Sequence, residues 1–383
     1  MAKIIKILHV IHDLSKDAGG APYAVKNILD LEMRLNLDPE VLTTSNLKLS
    51  NFVETSAKIH HFKRTFPSRF SRSTYANSWL YKNARNYDLI SIHSIWSLLQ
   101  IDAAKIAADL DVPYIIRPHG SLDPFDLKKK KYLKKLVGPF LIRPMLDNSH
   151  SINCTAQLEC DKLEKYGARV KAIALSLPVN LTEKTGNGAN FRKVFGYNND
   201  DFVFLFLSRI DYKKGLNLLI PAVARLSKKF PNIKLAIAGS GSDGYEAKVR
   251  QWIKEEAAEN NINICGFLAG EDKFDAFAGS DCFVLPSMNE NFGIAVVEAL
   301  SLGLPVLLSD NVYIWKEIID KEGGWVCSYS KDSVQDKLEE IVNNPDELKR
   351  KKGSARNAAK QFSPESLKSQ YLEYYQSILG MRK

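Results

Sequence analysis

The 383-residue sequence lacks several features that would place it in other classes of protein. No apolar run approaches the roughly 20 residues that a membrane-spanning helix needs. The five cysteines are odd in number and show no Cys-x-x-Cys spacing, so we expect reduced core thiols in a cytosolic protein. No spacing of histidine, cysteine and aspartate resembles a closed zinc site, and no bound metal is expected.

A secretory leader is not indicated either. The apolar segment 1–10 could be taken for one, but Lys6 and His9 interrupt it and no small-residue cleavage site follows. We therefore expect this segment to form a first buried strand.

The composition describes a globular protein with more than one domain. Hydrophobic residues make up 45% of the chain and charged residues 25%, which argues against a disordered chain. A length of 383 residues exceeds one ordinary core and favours two domains. The net charge of +9 is compatible with nucleic acid, anionic lipid or an anionic small substrate.

Strand and helix patterns alternate along both halves of the chain. In the first half, segments 4–11, 88–92 and 113–117 predict parallel strands, with helices over 22–35 and 100–110. The second half repeats this alternation, with strands over 202–207, 234–238 and 263–266 and helices over 216–229, 245–259 and 273–278.

This alternation predicts an α/β fold with a doubly wound parallel sheet in each half. We assign residues 1–178 to an N-terminal domain and 179–362 to a C-terminal domain. The polar stretch 182–190 shows no periodic signal, and 363–383 is predicted to contain a helix that returns to the first domain. Ligands of such sheets bind beyond the carboxyl ends of the strands, so we expect the site in a cleft between the two domains.

The most informative segment is an acidic pair, Glu290 and Glu298, which are separated by seven residues. A short strand pattern precedes Glu290 and ends at Pro286, while Glu298 lies on an apolar helix that begins near Gly293. The free N–H groups at that helix start suit a phosphate. One acid before the helix start and one inside the helix could hold hydroxyls on either side of a bound diphosphate, which is the layout of a nucleotide sugar.

Two cations follow the predicted strand 202–207. Arg209 and Lys214 lie between this strand and the next helix, where a guanidinium and an ammonium suit a diphosphate. A solvated basic turn is the ordinary alternative for such a cluster. The position at a strand end favours the phosphate interpretation.

Glycines occur at two further strand ends. Gly19 and Gly20 follow the first strand and would let the backbone approach a ligand closely, although any tight turn could use them. Gly239, Gly241 and Gly244 form a G-x-G-x-x-G pattern. No acid follows at the end of the next strand for a dinucleotide ribose, so a dehydrogenase is disfavoured and a glycine-rich turn near a nucleotide is expected.

Among the seven histidines, His119 is the foremost candidate, because it follows a strand and precedes a glycine. His93, which follows another strand, is the second candidate, and the others are expected to be structural. Lys128–Lys135 contains six lysines in eight residues, among leucines at near-helical spacing. It suits either a solvated helix face or an anionic membrane surface, whereas no base-stacking motif supports nucleic acid.

These motifs resemble the retaining, nucleotide-sugar-dependent glycosyltransferases of the GT-B fold, specifically glycosyltransferase family 4. The resemblance covers most of the chain and is strongest over 202–319, above all in Asn289-Glu-Asn-Phe-Gly-Ile-Ala-Val-Val-Glu-Ala299. Arg117-Pro-His-Gly-Ser-Leu-Asp123 is similar to members that assemble exopolysaccharide or envelope polysaccharide. The linker after Asn180 departs from the family because it lacks a glycine there.

The resemblance implies a role for each matched residue. Glu290 would contact the transferred sugar, Glu298 the ribose, and His119 the 6-position of the sugar. Arg209 and Lys214 would clamp the diphosphate without a metal or another cofactor. Further donor-binding positions implied by the family or the glycine pattern are Gly19, Gly20, Gly239, Gly266, Phe267, Leu268, Asn291, Phe292, Gly293 and Ile294.

The resulting hypothesis is a cytoplasmic hexosyltransferase, peripheral to the membrane if the lysines bind it. It would move glucose from UDP-glucose to an oligosaccharide or lipid-linked acceptor in polysaccharide biosynthesis. Two alternatives stay open at this point. A sugar-nucleotide epimerase of the same architecture would need no acceptor, and a non-catalytic carbohydrate-binding or lipid-surface module would have lost the chemistry.

Overall fold

The computed structural model describes residues 4–46, 48–123, 132, 134, 137–181 and 184–380. These residues form two compact units. The first unit extends to Pro178 and resumes at Pro364, and the second is Val179–Ser363.

The sheet of the first unit has seven strands in the order β3-β2-β1-β4-β5-β6-β7, and all neighbours are parallel. The strands are β1 (Lys6–Ile11), β2 (Asp38–Thr44), β3 (Lys58–Phe62), β4 (Leu89–His93), β5 (Tyr114–Arg117), β6 (Ser151–Cys154) and β7 (Ala172–Ala174). The helices between and after them are α1 (Gly20–Arg34), α2 (Thr74–Asn83), α3 (Leu98–Asp109), α4 (Arg143–Asp147), α5 (Gln157–Tyr166) and, from the end of the chain, α14 (Pro364–Ile378).

The two faces of this sheet differ in chemistry. Leu8 and Val10 of β1 belong to a large apolar cluster that includes residues of α2 and α3. His9 lies between them in the strand, so its side chain points to the opposite face, where α1 packs. Polar residues of β4, β5 and β6 also lie on that second face, as the hydrogen bonds described below show.

The sheet of the second unit has six parallel strands in the order β10-β9-β8-β11-β12-β13. They are β8 (Phe202–Leu207), β9 (Ile233–Ala238), β10 (Ile262–Gly266), β11 (Cys282–Leu285), β12 (Val306–Ser309) and β13 (Gly324–Cys327). The helices are α6 (Gly188–Phe195), α7 (Leu216–Lys229), α8 (Asp243–Glu255), α9 (Gly270–Ala278), α10 (Ile294–Ser301), α11 (Trp315–Ile319), α12 (Lys331–Asn343) and α13 (Pro345–Lys360).

The two doubly wound parallel sheets confirm the predicted fold class. The expected strand 202–207 and helix 216–229 have the predicted bounds. The stretch 182–190, which shows no periodic signal in the sequence, overlaps helix α6, which begins at Gly188, with the side chain of Asn187 accepting a hydrogen bond from the N–H of Asn190. Among the described residues, no helix is long and apolar enough to cross a membrane.

Candidate active site

The carboxyl edge of the second sheet brings two distant segments together between β8 and β11. These neighbouring strands lie where the strand order reverses, the position at which open α/β sheets bind ligands. Arg209 and Lys214 follow β8, and Glu290 follows β11. The described structure therefore places all three at the same sheet edge.

The backbone of the segment around Glu290 is held by the chain that follows β12. The N–H of Glu290 donates to the carbonyl of Asn311 at 3.0 Å, and the N–H of Tyr313 donates to the carbonyl of Glu290 at 3.0 Å. The buried Tyr313 hydroxyl donates to Oδ1 of Asn289 at 2.8 Å. These contacts fix the carboxylate's position, and the sequence motif gave no sign of Asn311 or Tyr313 as its supports.

Lys214 and Glu290 form an ion pair between Nζ and Oε2. Their side chains are largely enclosed, with 10% and 18% of their surfaces exposed. The segments are also joined by the Met288 N–H, which donates to the Lys213 carbonyl at 2.7 Å. Sequence reasoning gave these residues separate roles, on phosphate and on sugar, and did not foresee that they pair.

The short turn that carries Lys214 has a strict backbone requirement. A 3-10 turn, Tyr212–Lys214, follows Asp211, whose carboxylate accepts from the Lys213 N–H at 3.0 Å. Gly215 then adopts a left-handed conformation with φ of 79°, and a Cβ there would collide with the carbonyl of Pro286 after β11. This close approach explains how the Lys214 ammonium comes within reach of Glu290.

Arg209 differs from Lys214 in its surroundings. Its side chain is exposed, and in the part of the chain that the structure describes it makes no ion pair or side-chain hydrogen bond. A guanidinium at a strand's carboxyl end is thus available to an anion, whereas Lys214 already has a carboxylate partner.

Helix α10 begins directly after this segment. Gly293 is its N-cap with φ of 79°, and as a glycine it has no side chain with which to cap the helix. The positive end of the helix dipole therefore adjoins Glu290. Phe292 is buried and packs edge-to-face on Phe362 with ring centroids 5.5 Å apart, so its side chain anchors the segment and does not face a ligand.

Glu298 lies on α10 as predicted and has a partner that the sequence analysis missed. Oε1 of Glu298 accepts from Nζ of Lys273 on α9 at 2.7 Å, and both side chains are about one-quarter exposed. No motif marks Lys273. Only the packing of α9 beside α10 shows that this lysine orients the acid.

The remaining predicted donor-binding positions lie along the same edge. Gly239 follows β9, and a Cβ there would collide with the Ser208 carbonyl beside Arg209, so this glycine is required by packing. Its N–H donates to the Gly266 carbonyl at 2.7 Å. Gly266 ends β10, followed by Phe267, which is 71% exposed, and half-buried Leu268.

The other predicted residues belong to the first unit. Gly19, with φ of 90°, caps α1, the first α-helix after β1, and Gly20 starts that helix with no atom within 4 Å of where its Cβ would be. His119 follows β5 and is one of seven non-glycine residues, among those described, that have a positive φ, here 50°. Next to it, the buried N–H of Gly120 donates to Oε1 of Glu159 at 2.6 Å.

His119 is the end of a chain of histidines across the polar face of the first sheet. Its Nε2 lies 2.8 Å from Nδ1 of His93, whose Nε2 lies 2.9 Å from Nδ1 of His9. Nε2 of His9 lies 2.7 Å from Oε2 of Glu32 on α1. Burial, with the nearby Arg117 cation, lowers the pKa of His119 to about 3, and burial also lowers that of His93. Both rings are therefore neutral at physiological pH.

The lysine-rich segment Lys128–Lys135 lies outside the described residues except for Tyr132 and Lys134. Tyr132 is 88% exposed, and Nζ of Lys134 lies 4.4 Å from the ring centroid of Trp96. Among the described residues, no group of three or more histidine, cysteine, aspartate or glutamate side chains could hold a metal ion.

Comparisons with known proteins support the interpretation of the second unit. Residues 188–361 match the family described as Glycosyl transferases group 1. An alpha-monoglucosyldiacylglycerol synthase of Streptococcus pneumoniae is 24% identical over 69% of this chain and 61% of its own. An uncharacterized glycosyltransferase of Methanocaldococcus jannaschii is 32% identical over 40% of this chain and 39% of its own. The chain thus spans less than two thirds of the length of either relative.

Solved structures match over nearly the whole chain. Sucrose-phosphate synthase from Thermosynechococcus elongatus superposes with a TM-score of 0.81 at 15% identity, over 99% of this chain and 100% of that one. The Anabaena protein HepE, in complex with UDP and glucose, gives 0.78 at 18% identity over 97% and 100%. At such identities the likeness concerns the fold alone. The chain therefore has the GT-B fold, and its residues 188–361 match the Glycosyl transferases group 1 family.

Proposed function

We propose that the protein is a retaining glycosyltransferase that moves a hexose, glucose from UDP-glucose, to an oligosaccharide or lipid-linked acceptor in polysaccharide biosynthesis. The observation that carries the proposal is the edge at which Lys214 and Glu290 pair beside the start of α10, whose N-cap is Gly293. Within a Glycosyl transferases group 1 domain, this edge offers a cation, a carboxylate and a helix dipole to one ligand.

The donor would lie along the carboxyl edge of the second sheet. Glu298, oriented by Lys273, would hold the ribose, and the exposed Phe267 and its neighbours Gly266 and Leu268 would receive the base. The backbone of Asn291–Ile294 would receive sugar and phosphate. UDP-glucose is favoured because HepE was solved with it and because the pneumococcal relative is named as a glucosyl-lipid synthase.

In the reaction, the bond between the anomeric carbon and the phosphate oxygen breaks, and negative charge grows on the departing diphosphate. Arg209, Lys214 and the α10 dipole would stabilise that charge. They would thereby take the role that a metal ion has in metal-dependent transfer. The acceptor oxygen would form the new bond on the same face of the sugar and pass its proton to the departing phosphate. Glu290 would hold the sugar and keep Lys214 in place.

We further propose that the enzyme acts in the cytoplasm at an anionic membrane surface, which Lys128–Lys135 would contact. The exposed Phe140 and Leu141, which follow this segment, would add apolar contact. Cosedimentation with anionic liposomes tests this part. Binding that is lost at high salt supports it, whereas absence of binding at low salt would leave the lysines as a solvated surface.

The donor assignment is tested by thermal melting with UDP-, GDP- and ADP-sugars, because a ligand of the native state raises its stability. Release of nucleotide diphosphate is then measured with and without an oligosaccharide or glycolipid acceptor, in EDTA. Acceptor-dependent release in EDTA supports the proposal. Conversion of the donor without transfer would indicate an epimerase, and binding without turnover a non-catalytic module.

A further inference from the structure

The histidine chain of the first unit is a continuous hydrogen-bonded row from a buried carboxylate to the sheet edge. Glu32, His9 and His93 have no exposed surface. The ring centroids are 5.2 Å apart for His9 and His93, with an interplanar angle of 28°, and 5.1 Å apart for His93 and His119, with an angle of 13°. With nitrogens 2.8–2.9 Å apart, the rings are aligned end to end, as hydrogen bonds through the ring plane require.

The carboxylate at one end sets the direction of every hydrogen bond in the row. Glu32 accepts from the Tyr375 hydroxyl through Oε1, and Tyr375 accepts from the guanidinium of Arg117 at 3.0 Å. The buried Arg117 thereby balances the charge of Glu32, so that a further cation on His9 would be an uncompensated buried charge. Since a carboxylate only accepts, His9 donates its Nε2–H to Glu32.

A neutral histidine has one donor and one acceptor nitrogen, so a ring that donates at one nitrogen accepts at the other. All hydrogen bonds of the row therefore run in the same direction. Nδ1 of His9 accepts from Nε2–H of His93, and Nδ1 of His93 accepts from Nε2–H of His119. Nδ1 of His119 is left as an acceptor, and within the described ranges no group hydrogen bonds to it. His119 also follows β5 at the carboxyl edge of its sheet, where ligands of such folds bind.

We propose that Glu32, acting through His9 and His93, fixes the tautomer of His119 so that Nδ1 accepts a hydrogen bond from a substrate hydroxyl. Glu32, His9 and His93 are positioning residues for His119 in this assignment. The proposal rests on the proposed function for the identity of the ligand as a sugar. It also excludes a phosphate oxygen as the partner of His119, because a neutral ring with a bare nitrogen cannot donate to it.

The test exploits the two partners of Glu32. In Glu32→Gln, the Tyr375 hydroxyl needs an acceptor, so the amide oxygen takes the position of Oε1 and the amide NH₂ faces His9. His9 must then accept at Nε2, and each ring down the row reverses its tautomer. Nδ1 of His119 would become a donor, although His119 is the third residue along the row from the substituted Glu32.

Glu40→Gln is a matched control in the same unit. Oε2 of Glu40 likewise accepts from a histidine, Nε2 of His60 at 2.6 Å, and from a tyrosine, the Tyr87 hydroxyl at 2.5 Å. Neither partner is hydrogen-bonded to His119 in the described structure. This substitution therefore reproduces the loss of a buried carboxylate without reaching the row.

The readout is the tautomer of each histidine, measured by long-range nitrogen–proton NMR on protein with labelled histidine. The His119 signals are those that disappear in His119→Gln. We expect Nε2–H and a bare Nδ1 in the wild type and in Glu40→Gln, and the reverse in Glu32→Gln. The kcat/KM for the donor should fall about tenfold in Glu32→Gln alone, the scale of one lost hydrogen bond to substrate.

The wild-type spectrum is decisive even if Glu32→Gln does not fold. A protonated Nδ1 or a doubly protonated His119 in the wild type would overturn the proposal, as would an unchanged His119 tautomer in folded Glu32→Gln. If the protein transfers no sugar but shows the expected tautomers, the proposed function fails and the assignment of the row stands. If it transfers sugar with the opposite tautomer, only the assignment of the row fails.

Discussion

The two sheets of this protein have similar topologies but carry different chemistry at their carboxyl edges. At the edge of the second unit, Glu290 and Glu298 each pair with a lysine, and all four side chains are 10–24% exposed. At the edge of the first unit, three histidines are linked in a row that leads back to the buried Glu32. All seven histidines of the chain precede residue 151, and the segment 179–363 contains none.

The difference indicates what each edge can bind. The two ion pairs place lysine ammonium groups and carboxylates side by side, and such charged groups form charge-assisted hydrogen bonds with the phosphates and hydroxyls of a ligand. A buried neutral row holds one arrangement of donors and acceptors and suits an uncharged hydroxyl. The second edge thus suits the nucleotide and phosphates of a donor, and the first suits a sugar.

The largest effect is expected from removing either cation at the second edge. Arg209→Ala or Lys214→Ala should lower kcat by about 30- to 1000-fold, which corresponds to roughly 2–4 kcal/mol of lost transition-state stabilisation. Arg225→Ala, an exposed arginine on α7, is the control. Turnover within a few-fold of wild type in folded Arg209→Ala and Lys214→Ala would show that neither side chain carries the phosphate charge.

Substitution of the two acids at the second edge should have different effects on nucleotide binding and on kcat. Glu298→Gln should weaken nucleotide binding about tenfold with little change in kcat, because a ribose contact is the same in ground and transition states. Glu290→Gln should lower kcat, because it holds the reacting sugar and keeps Lys214 in place. Lys273→Ala should resemble Glu298→Gln more weakly.

These assignments are checked by titrating UDP into each variant and by steady-state kinetics. The distinction between the acids is wrong if Glu290→Gln and Glu298→Gln change only UDP affinity and do so equally.

Acid should destabilise the first unit before the second. Burial lowers the pKa of His12, His93 and His119 below the usual 6.5. Below pH 6.5 these histidines therefore bind protons in the unfolded chain but remain unprotonated in the folded protein. Stability is therefore fully present above pH 6.5 and decreases as the pH falls towards 3, by up to about 1.4 kcal/mol per pH unit for each histidine.

Hydrogen exchange followed by mass spectrometry between pH 7 and 5 resolves the two units by their peptides. Once exchange is corrected for its intrinsic pH dependence, protection should decrease in the first unit and stay constant in the second. An equal decrease in both units would mean that the histidines are not responsible.

The sequence predicted the central elements of each sheet but not the contacts between them. Apolar, β-branched runs such as 202–207 identified the strands at the centre of each sheet. Strands β2, β3 and β6 were not predicted, because Asp38-Pro39-Glu40 opens the first, two histidines interrupt the second and Asn153 the third.

Local patterns also located Glu290, Arg209 and Lys214 after the strands that they follow, and Glu298 on helix α10. They could not reveal that Lys214 meets Glu290, 76 positions away, or that His9 meets His93, 84 positions away. Such pairs are set by strand order and register. His9 in particular was expected to be structural, whereas it lies inside β1 and connects Glu32 to His93.

The smallest effects on stability and activity are expected from alanine substitution of two glycines, Gly20 and Gly353, that have similar free space around them. A Cβ at Gly20 or at Gly353 would meet no atom within 4 Å, and neither residue has a positive φ. Gly353 lies within α13, so Gly353→Ala should raise the free energy of unfolding by about 0.5–1 kcal/mol and leave activity unchanged. Gly20→Ala, at the first position of α1, should not lower stability.

Activity separates the two variants. If the backbone at Gly19 and Gly20 approaches a substrate closely, the added methyl group of Gly20→Ala occupies that space, and the KM for a substrate should rise a few-fold without a loss of stability. Chemical denaturation and steady-state kinetics on both variants provide the measurements. Unchanged KM values for donor and acceptor in Gly20→Ala would mean that Gly20 serves only the turn into α1, so that at the first edge the substrate would depend on His119 rather than on a bare backbone.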